Sequence, residues 1–300
     1  MVKPSSTFTT IICIAMFLVA LLIVVREYTS ETTGHLSQDI TTRLAEVSRR
    51  VADDFDRNID SQLSELQNIT SFMAQEDCKQ FKKCVLYYAP LLHAAGLKKF
   101  ALVGLDGKGY CSEKGDAFDL ASTGKEKLFY HALSGAAGFA AIFDGKGSKL
   151  AVAIPLSRNG KIVSILLGEL EDSVMKKDLV TRAFGDRTCN MVFDDKGRLL
   201  FWAVPPGNDI EKVFPQMEEK GLPPPLREYL QTVFSDTQNQ ASRFIKDDKH
   251  AYYLTHIPLG KYGWQIVSLL PEEVVNHLVD RQNAITSTLA WRMSVLAGLV

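Results

Sequence analysis

Cysteine and histidine are the side chains of this sequence with the widest range of chemistry. The cysteines are Cys13, Cys78, Cys84, Cys111 and Cys189. None of them forms a Cys-x-x-Cys pair, and no cysteine or histidine has the spacing of a zinc site. His131, His250, His256 and His277 are isolated in the same way, and no nucleophile elbow, phosphate-binding loop or kinase loop is present. The chemistry left to these residues is disulfide formation and ligand binding, so no cofactor and no metal are expected.

Two apolar segments at the ends of the chain predict membrane helices. Residues 8–25 carry no charge and are close to the shortest length that spans a bilayer. A cleaved signal peptide is the alternative, but no small-x-small cleavage site precedes Arg26. Residues 289–300 stop within an apolar run, and we interpret them as the start of a truncated second span rather than as a buried helix. With residues 1–7 in the cytoplasm, everything between the spans is expected outside it.

A long amphipathic helix is predicted over residues 30–75, directly after the first span. Its apolar side chains recur every three or four positions and therefore fall on one stripe. The stripe comprises Leu36, Ile40, Leu44, Val47, Val51, Phe55, Ile59, Leu63, Leu66, Ile69 and Met73. Because such a stripe is typical of coiled coils, we expect this stalk helix to form a parallel homodimer and to connect the membrane rigidly to the folded part.

The folded part contains an internal repeat. Each copy opens with a strand, an Asp/Gly/Lys turn and a second strand, in residues 100–111 and 189–202, which predicts a hairpin. Each copy ends with Ile-Pro-Leu, a turn containing glycine, and Ile-Val-Ser, in residues 151–167 and 253–270. A helix is expected in the connection between the two parts. The repeat predicts two modules with antiparallel sheets, so the fold class is α+β.

In this order of elements the chain resembles the double Cache family, the tandem PAS-like extracytoplasmic sensors of bacterial signalling proteins. The resemblance is carried by Leu105-Asp106-Gly107, Phe129-x-x-Ala132-Leu133-x-Gly135, Ala153-Ile154-Pro155-Leu156 and Tyr262-Gly263-Trp264-x-x-Val267-Ser268-x-x-Pro271-Glu272. It implies a membrane-distal Cache module over residues 77–172 that captures a small-molecule ligand. It also implies a proximal module over residues 185–271 that relays the signal, followed by a connecting helix over residues 272–288. The protein would reside in the bacterial inner membrane, with a periplasmic or extracellular sensing region.

The segment between Cys78 and Cys111 is also similar to the CSS-motif sensors of EAL phosphodiesterases. Asp77-Cys78 and Cys111-Ser112 match that motif, whereas Glu113 replaces its third residue, a serine. We expect a disulfide between Cys78 and Cys111, because a helix that opens at Cys78 should pack on the hairpin that Cys111 ends, and thiols outside the cytoplasm oxidise. Cys84 would project from another face of that helix and is interpreted as buried. The bridge is either structural or the redox switch that the resemblance implies.

A ligand pocket is predicted in the first module, between its connecting helix and its sheet. Phe129 and Tyr130 on the helix, with Tyr110, Phe143 and Asp144 on the sheet, are the expected lining residues. A core that is filled without any ligand is the alternative. Amino-acid-binding double Cache sensors carry Arg-x-Trp-Tyr at this helix, and Glu-Lys-Leu-Phe stands here instead. The arginine that would clamp a carboxylate is therefore absent, which argues against an amino-acid ligand.

These observations predict a sensor that is not itself an enzyme. The formal net charge of −1, without a basic face, argues against nucleic acid as a partner. Our leading expectation is the sensing region of a cyclic-di-GMP enzyme, either a diguanylate cyclase or a phosphodiesterase, with its output domain beyond residue 300. The alternatives are the sensor of a chemoreceptor or histidine kinase, an anchored binding protein without output, and a secreted or anchored enzyme.

Overall fold

One long helix, α1, forms the N-terminal part of the molecule. It runs over Ser6–Gln75, which corresponds to about 105 Å at 1.5 Å per residue. The computed structural model describes residues 6–76, 80–113, 116–143, 148–181, 183–185, 187–204, 227–230, 232, 241–246, 251–277 and 284, with side chains except at 6–37, 122, 185 and 241–246. Within these ranges, no helix combines the length and apolar character needed to cross a bilayer. The predicted second span, residues 289–300, lies outside them.

From Ile40 onwards, the apolar stripe of α1 packs within the chain itself. Leu44, Phe55, Leu66 and Met73 are all completely buried. They share hydrophobic clusters with side chains of both sheets and of helix α2, Phe81–Ala94. This corrects the prediction that the stripe is a homodimer interface, because the chain's own sheets already cover it. A helix packed on a sheet and a helix in a coiled coil have the same apolar spacing, so the sequence pattern did not distinguish them.

The first sheet has six antiparallel strands in the order β3-β2-β1-β6-β5-β4. The strands are β1 Leu97–Val103, β2 Lys108–Cys111, β3 Ala117–Asp119, β4 Gly138–Phe143, β5 Ser148–Arg158 and β6 Lys161–Leu170. One face, with Leu102 and Val152, packs on α1 and α2. The opposite face, with Ala101 and Leu167, packs on helix α3, Glu126–Leu133. The sheet is therefore covered by helices on both sides.

The second sheet has five antiparallel strands in the order β8-β7-β11-β10-β9, which repeats the order of the first sheet without its edge strand β3. The strands are β7 Cys189–Phe193, β8 Leu199–Ala203, β9 Ala241–Lys246, β10 Ala251–Pro258 and β11 Gln265–Pro271. A short helix, α4, Asp172–Lys176, leads from the first sheet towards the second. Residues 227–230 are helical and pack on one face of the second sheet, and residues 272–277 continue as a helix.

The predicted fold class is confirmed as α+β, with antiparallel sheets and an N-terminal helix. Both predicted hairpins are present, as β1–β2 and β7–β8. In the first of them, Gly107 has a φ of +80°, which an L side chain rarely adopts. The turn therefore needs glycine at this position, in agreement with the sequence motif. The proposed module boundaries at residues 77–172 and 185–271 stay predictions, and each of the two sheets lies inside one of them.

The predicted disulfide between Cys78 and Cys111 is wrong. Cys111 is a free thiol, whereas Cys84 is disulfide-bonded. The prediction placed Cys78 at the start of α2 and used helix geometry to exclude Cys84, but α2 begins only at Phe81. Cys111 also pairs with Ala101 and packs on the α3 side of the sheet, away from α2. Cys78 lies outside the described residues.

Candidate functional site

A cavity of about 280 Å³ lies against the first sheet, on the face that α3 covers. Strand register brings part of its wall together, because β1 pairs with β6 through Lys99–Glu169 and Ala101–Leu167. These four residues share one face, since directly paired residues of an antiparallel sheet point the same way. The lining consists of Lys99, Phe100, Ala101, Cys111, Ser112, Glu113, Phe118, Thr123, Lys125, Leu167 and Glu169.

An ion pair between Lys125 and Glu169 forms the most buried polar part of this wall. The Lys125 Nζ lies 2.7 Å from the Glu169 Oε1, and the two side chains are only 11% and 17% exposed. Lys125 immediately precedes α3, and its N–H donates to the Thr123 Oγ1 at 3.3 Å. The Thr123 hydroxyl in turn donates to the Leu120 carbonyl at 2.7 Å. The backbone at Lys125 is thereby fixed, so its long side chain is directed from a defined turn towards the sheet.

A second ion pair, between Lys99 and Glu113, stands at the rim of the cavity. Its side chains are 42% and 55% exposed, so solvent screens this pair and its contribution to stability is small. Ser112, next to Glu113, is held against β1 by two hydrogen bonds. Its N–H donates to the Phe100 carbonyl at 2.8 Å, and its Oγ accepts from the Phe100 N–H at 3.2 Å. The segment that carries Cys111, Ser112 and Glu113 is therefore fixed beside the opening.

The polar groups of the cavity wall carry charges of both signs. The wall offers two ammonium groups, two carboxylates and hydroxyls next to an apolar floor, and it contains no histidine that could serve as a base for Ser112 or Cys111. Among the described residues, no group of three or more His, Cys, Asp or Glu side chains could hold a metal ion.

Of the five predicted pocket residues the structure describes four, and it does not bring those four together. Phe129 is buried in the apolar core under α3, whereas Tyr130 is 64% exposed. Tyr110 pairs with Leu102 and so lies on the opposite face of the sheet, the one that α2 covers. None of these three residues lines the cavity.

Phe143, the fourth described residue, belongs to β4 at the opposite edge of the sheet. Phe143 lies on the α1 face, where the Arg198 guanidinium stands 3.9 Å above its ring. Asp144 lies outside the described residues. A role of the five residues in ligand binding stays a prediction, and the geometry favours a different set.

Sequence reasoning missed Lys99, Lys125 and Glu169. A weak signal existed for the two strand residues, since Glu169 interrupts an apolar run in β6 and Lys99 directly precedes one in β1. A charged residue at such a position indicates either an edge of the sheet or a polar site on one face of the sheet. Which of the two applies depends on the pairing of β1 with β6, and these strands are far apart in the sequence.

Comparison with known proteins supports the class of fold. No family model and no curated protein matches the chain. The ligand-binding domain of the Pseudomonas fluorescens chemoreceptor CtaA, in complex with L-serine, has a TM-score of 0.57 at 14% identity over 79% of this chain and 99% of that one. The extracellular domain of the putative histidine kinase soHK1S-Z6 has a TM-score of 0.53 at 16% identity over 82% and 99%.

The sensory domain of the Campylobacter jejuni chemoreceptor Tlp3 (CcmL), with isoleucine bound, has a TM-score of 0.52 at 12% identity over 81% of this chain and 97% of that one. The chain therefore has the fold of the extracellular, Cache-like sensor domains of chemoreceptors and histidine kinases. This confirms the resemblance at the level of the fold. Two of these three proteins are chemoreceptors and one is a putative histidine kinase.

Proposed function

We propose that this chain is the extracytoplasmic ligand-sensing region of a bacterial transmembrane receptor, and that its ligand binds in the cavity beside α3. The observation that carries the proposal is the largely buried Lys125–Glu169 ion pair in the cavity wall. Burying two charges has a desolvation cost that their mutual attraction only partly offsets, so such pairs are a poor device for stability alone. A cavity that is bordered by a buried ion pair is better explained as the binding site of a charged ligand.

The ligand is a small molecule that carries both a carboxylate and an ammonium group. A carboxylate next to Lys125 and an ammonium next to Glu169 would replace the internal ion pair and leave every charge compensated. The cavity volume of about 280 Å³ is at the lower end of the usual range for ligand sites, which limits the ligand to about the size of an amino acid. This departs from the expectation based on the missing arginine, because Lys125 supplies the cation from the turn before α3.

A chemoreceptor or a histidine kinase is the favoured receptor class. The support is the shared fold, since the solved sensor domains described above belong to those two classes. Control of a cyclic-di-GMP enzyme, which the sequence suggested first, has no comparable support. Anchoring through residues 8–25 accords with α1, which continues without a break from residue 6 into the sensor. A homodimer would have to use a face of α1 other than the apolar stripe.

The proposal is tested by titrating the full chain, in detergent micelles, with a panel of small amino acids by calorimetry. At least one of them should bind, and Lys125→Met should weaken its binding by about 10- to 100-fold, the equivalent of one charge-assisted hydrogen bond. Glu169→Gln should have a comparable effect. Lys127→Met is the matched control, because Lys127 lies two residues further on, is exposed in the first turn of α3, and its replacement should leave the affinity within about twofold. A ligand whose affinity neither Lys125→Met nor Glu169→Gln changes would exclude this site.

A further inference from the structure

The second sheet contains a buried polar cluster on the face that the helical residues 227–230 cover. Gln265 on β11 pairs with Pro258, and His256 on β10 pairs with Val267, so Gln265 and His256 share one face and are diagonal neighbours. The Tyr229 hydroxyl, from the covering helical residues, lies 3.2 Å from the His256 Nδ1. Gln265, His256 and Tyr229 are only 1%, 3% and 5% exposed. The cluster lies in a different sheet from the cavity described above.

Gln265 is the unusual member of this cluster. Neither its Oε1 nor its Nε2 has a hydrogen-bond partner within the part of the chain that the structure describes. A buried amide that loses its hydrogen bonds to water without replacing them is strongly unfavourable, and folded proteins pair nearly all such groups. Among the described residues, this amide therefore leaves one donor and one acceptor available to a bound molecule.

The first sheet shows that the fold does not require polar residues at these positions. The two sheets have the same strand order, and Pro155 pairs with Ile165 as Pro258 pairs with Gln265. The counterparts of Gln265 and His256 are thus Ile165 and Ala153, and both are buried in an apolar core. The polar pair is a feature of the second sheet alone, which favours a specific role for it.

We infer that the second sheet holds a separate binding site for a small, uncharged molecule that presents a hydrogen-bond donor and acceptor side by side, such as a carboxamide, lactam or imide. The side-chain amide of glutamine offers one acceptor and one donor in a plane, and a ligand satisfies both only with the complementary pair. Phe193, Val267 and Leu254 provide apolar walls, and the register of β9 places Arg243 opposite Leu254. A carboxylate offers hydrogen-bond acceptors only, so it would leave the Oε1 of Gln265 without a donor.

Propionamide is a suitable probe, with propionate as its charged counterpart. Added to the full chain in detergent micelles, propionamide should raise the melting temperature in a saturable manner, because it binds only the folded state. Propionate should not. Gln265→Met preserves the length of the side chain without its hydrogen-bonding groups, and it should reduce the response to propionamide at least about 10-fold, the weight of one or two lost hydrogen bonds. Gln265→Glu replaces the hydrogen-bond donor by a charge and should reduce the response in the same way. This variant is the test to use if Gln265→Met does not fold.

The Lys125→Met variant distinguishes this inference from the proposed function. It should leave the propionamide response intact even though it weakens ligand binding beside α3. The inference is overturned if propionamide gives no saturable response, if Gln265→Met and Gln265→Glu leave the response unchanged, or if Lys125→Met abolishes it. The last result would place the amide in the first sheet and would leave the proposed function standing.

Discussion

The ring of Tyr262, in the turn between β10 and β11, lies 6.1 Å from the ring of Phe139 on β4, at an angle of 71°. This contact joins the second sheet to the first. The same turn is attached to α1, because the Gly260 N–H donates to the Asp56 Oδ2 at 3.3 Å and Lys261 forms an ion pair with Asp60. The two sheets and the long helix therefore meet at one turn. Small shifts of packed elements at such a junction are a common means of transmitting a signal.

Replacement of Tyr262 should loosen this junction. We expect Tyr262→Ala to lower the free energy of unfolding by about 1–3 kcal/mol, less than the loss for a fully buried aromatic side chain, because Tyr262 is only half-buried. Hydrogen exchange of residues 259–264 and of the neighbouring part of α1 should accelerate together. Tyr130→Ala is the control, since Tyr130 is 64% exposed and should change stability by at most about 0.5 kcal/mol. Equal losses in the two variants would mean that the turn does not connect the sheets energetically.

Alkaline pH should destabilise the protein through Tyr88. Burial, together with a hydrogen bond to Glu76, raises the pKa of Tyr88 from 10.0 to about 12. Because the folded-state pKa is the higher one, the stabilisation is complete below pH 10 and is lost as the pH rises from 10 to about 12. The loss is on the order of 2 kcal/mol. Denaturant titrations at several pH values, compared with Tyr88→Phe, measure it. If the phenylalanine variant shows the same decline over that interval, another group is responsible.

The buried stripe of α1 should behave as core and not as a dimer interface. Phe55 is completely buried, and its ring lies 6.5 Å from that of Phe201 on β8. Phe55→Ala should cost about 3–5 kcal/mol of stability, whereas Leu86→Ala, at a residue 54% exposed, should cost about 0.5 kcal/mol or less. Single cysteines at Leu44, Phe55 and Leu66 should not form cross-links between two copies under native conditions. Efficient cross-linking at these positions would restore the coiled-coil interpretation.

The disulfide of Cys84 should join it to Cys78. Cys111 and Cys189 are free, and Cys13 lies on α1 about 90 Å before the end of that helix, near which Cys84 packs. Cys78, six residues before Cys84 in the sequence, is the cysteine that remains. For so short a loop the chain-entropy model gives about 2 kcal/mol of stabilisation. Non-reducing peptide mapping should find Cys78 joined to Cys84, and a peptide that joins Cys84 to Cys111 would contradict this assignment.

Alkylation of the native protein provides a second check on the cysteines. Cys111 is partly exposed beside the cavity and should react with iodoacetamide. Cys189 should not, because burial raises the pKa of its thiol well above the ordinary value and keeps it protonated. Fast reaction at Cys189 would indicate that β7 is less well covered than the structure shows.

The sequence by itself was sufficient to predict the secondary-structure elements and their order along the chain. The turn around Gly107, the Ile-Pro-Leu strands and the apolar stripe of α1 are local patterns, and each depends only on backbone conformation and on the direction of successive side chains. The repeat added the equivalence of the two sheets, because a pattern that occurs twice in the same order predicts the same topology twice. The α+β class followed from these features, and the sensor-like fold was implied by the resemblance to the double Cache family.

Only the tertiary structure decided what each face contacts. The spacing of the stripe is the same whether α1 packs on a second copy or on its own sheets, so its burial was not predictable. Cys111 faces α3 because it pairs with Ala101, and that register depends on contacts between distant segments. Lys99, Lys125 and Glu169 form one site for the same reason, since the pairing of β1 with β6 and the docking of α3 bring together side chains that are far apart along the chain.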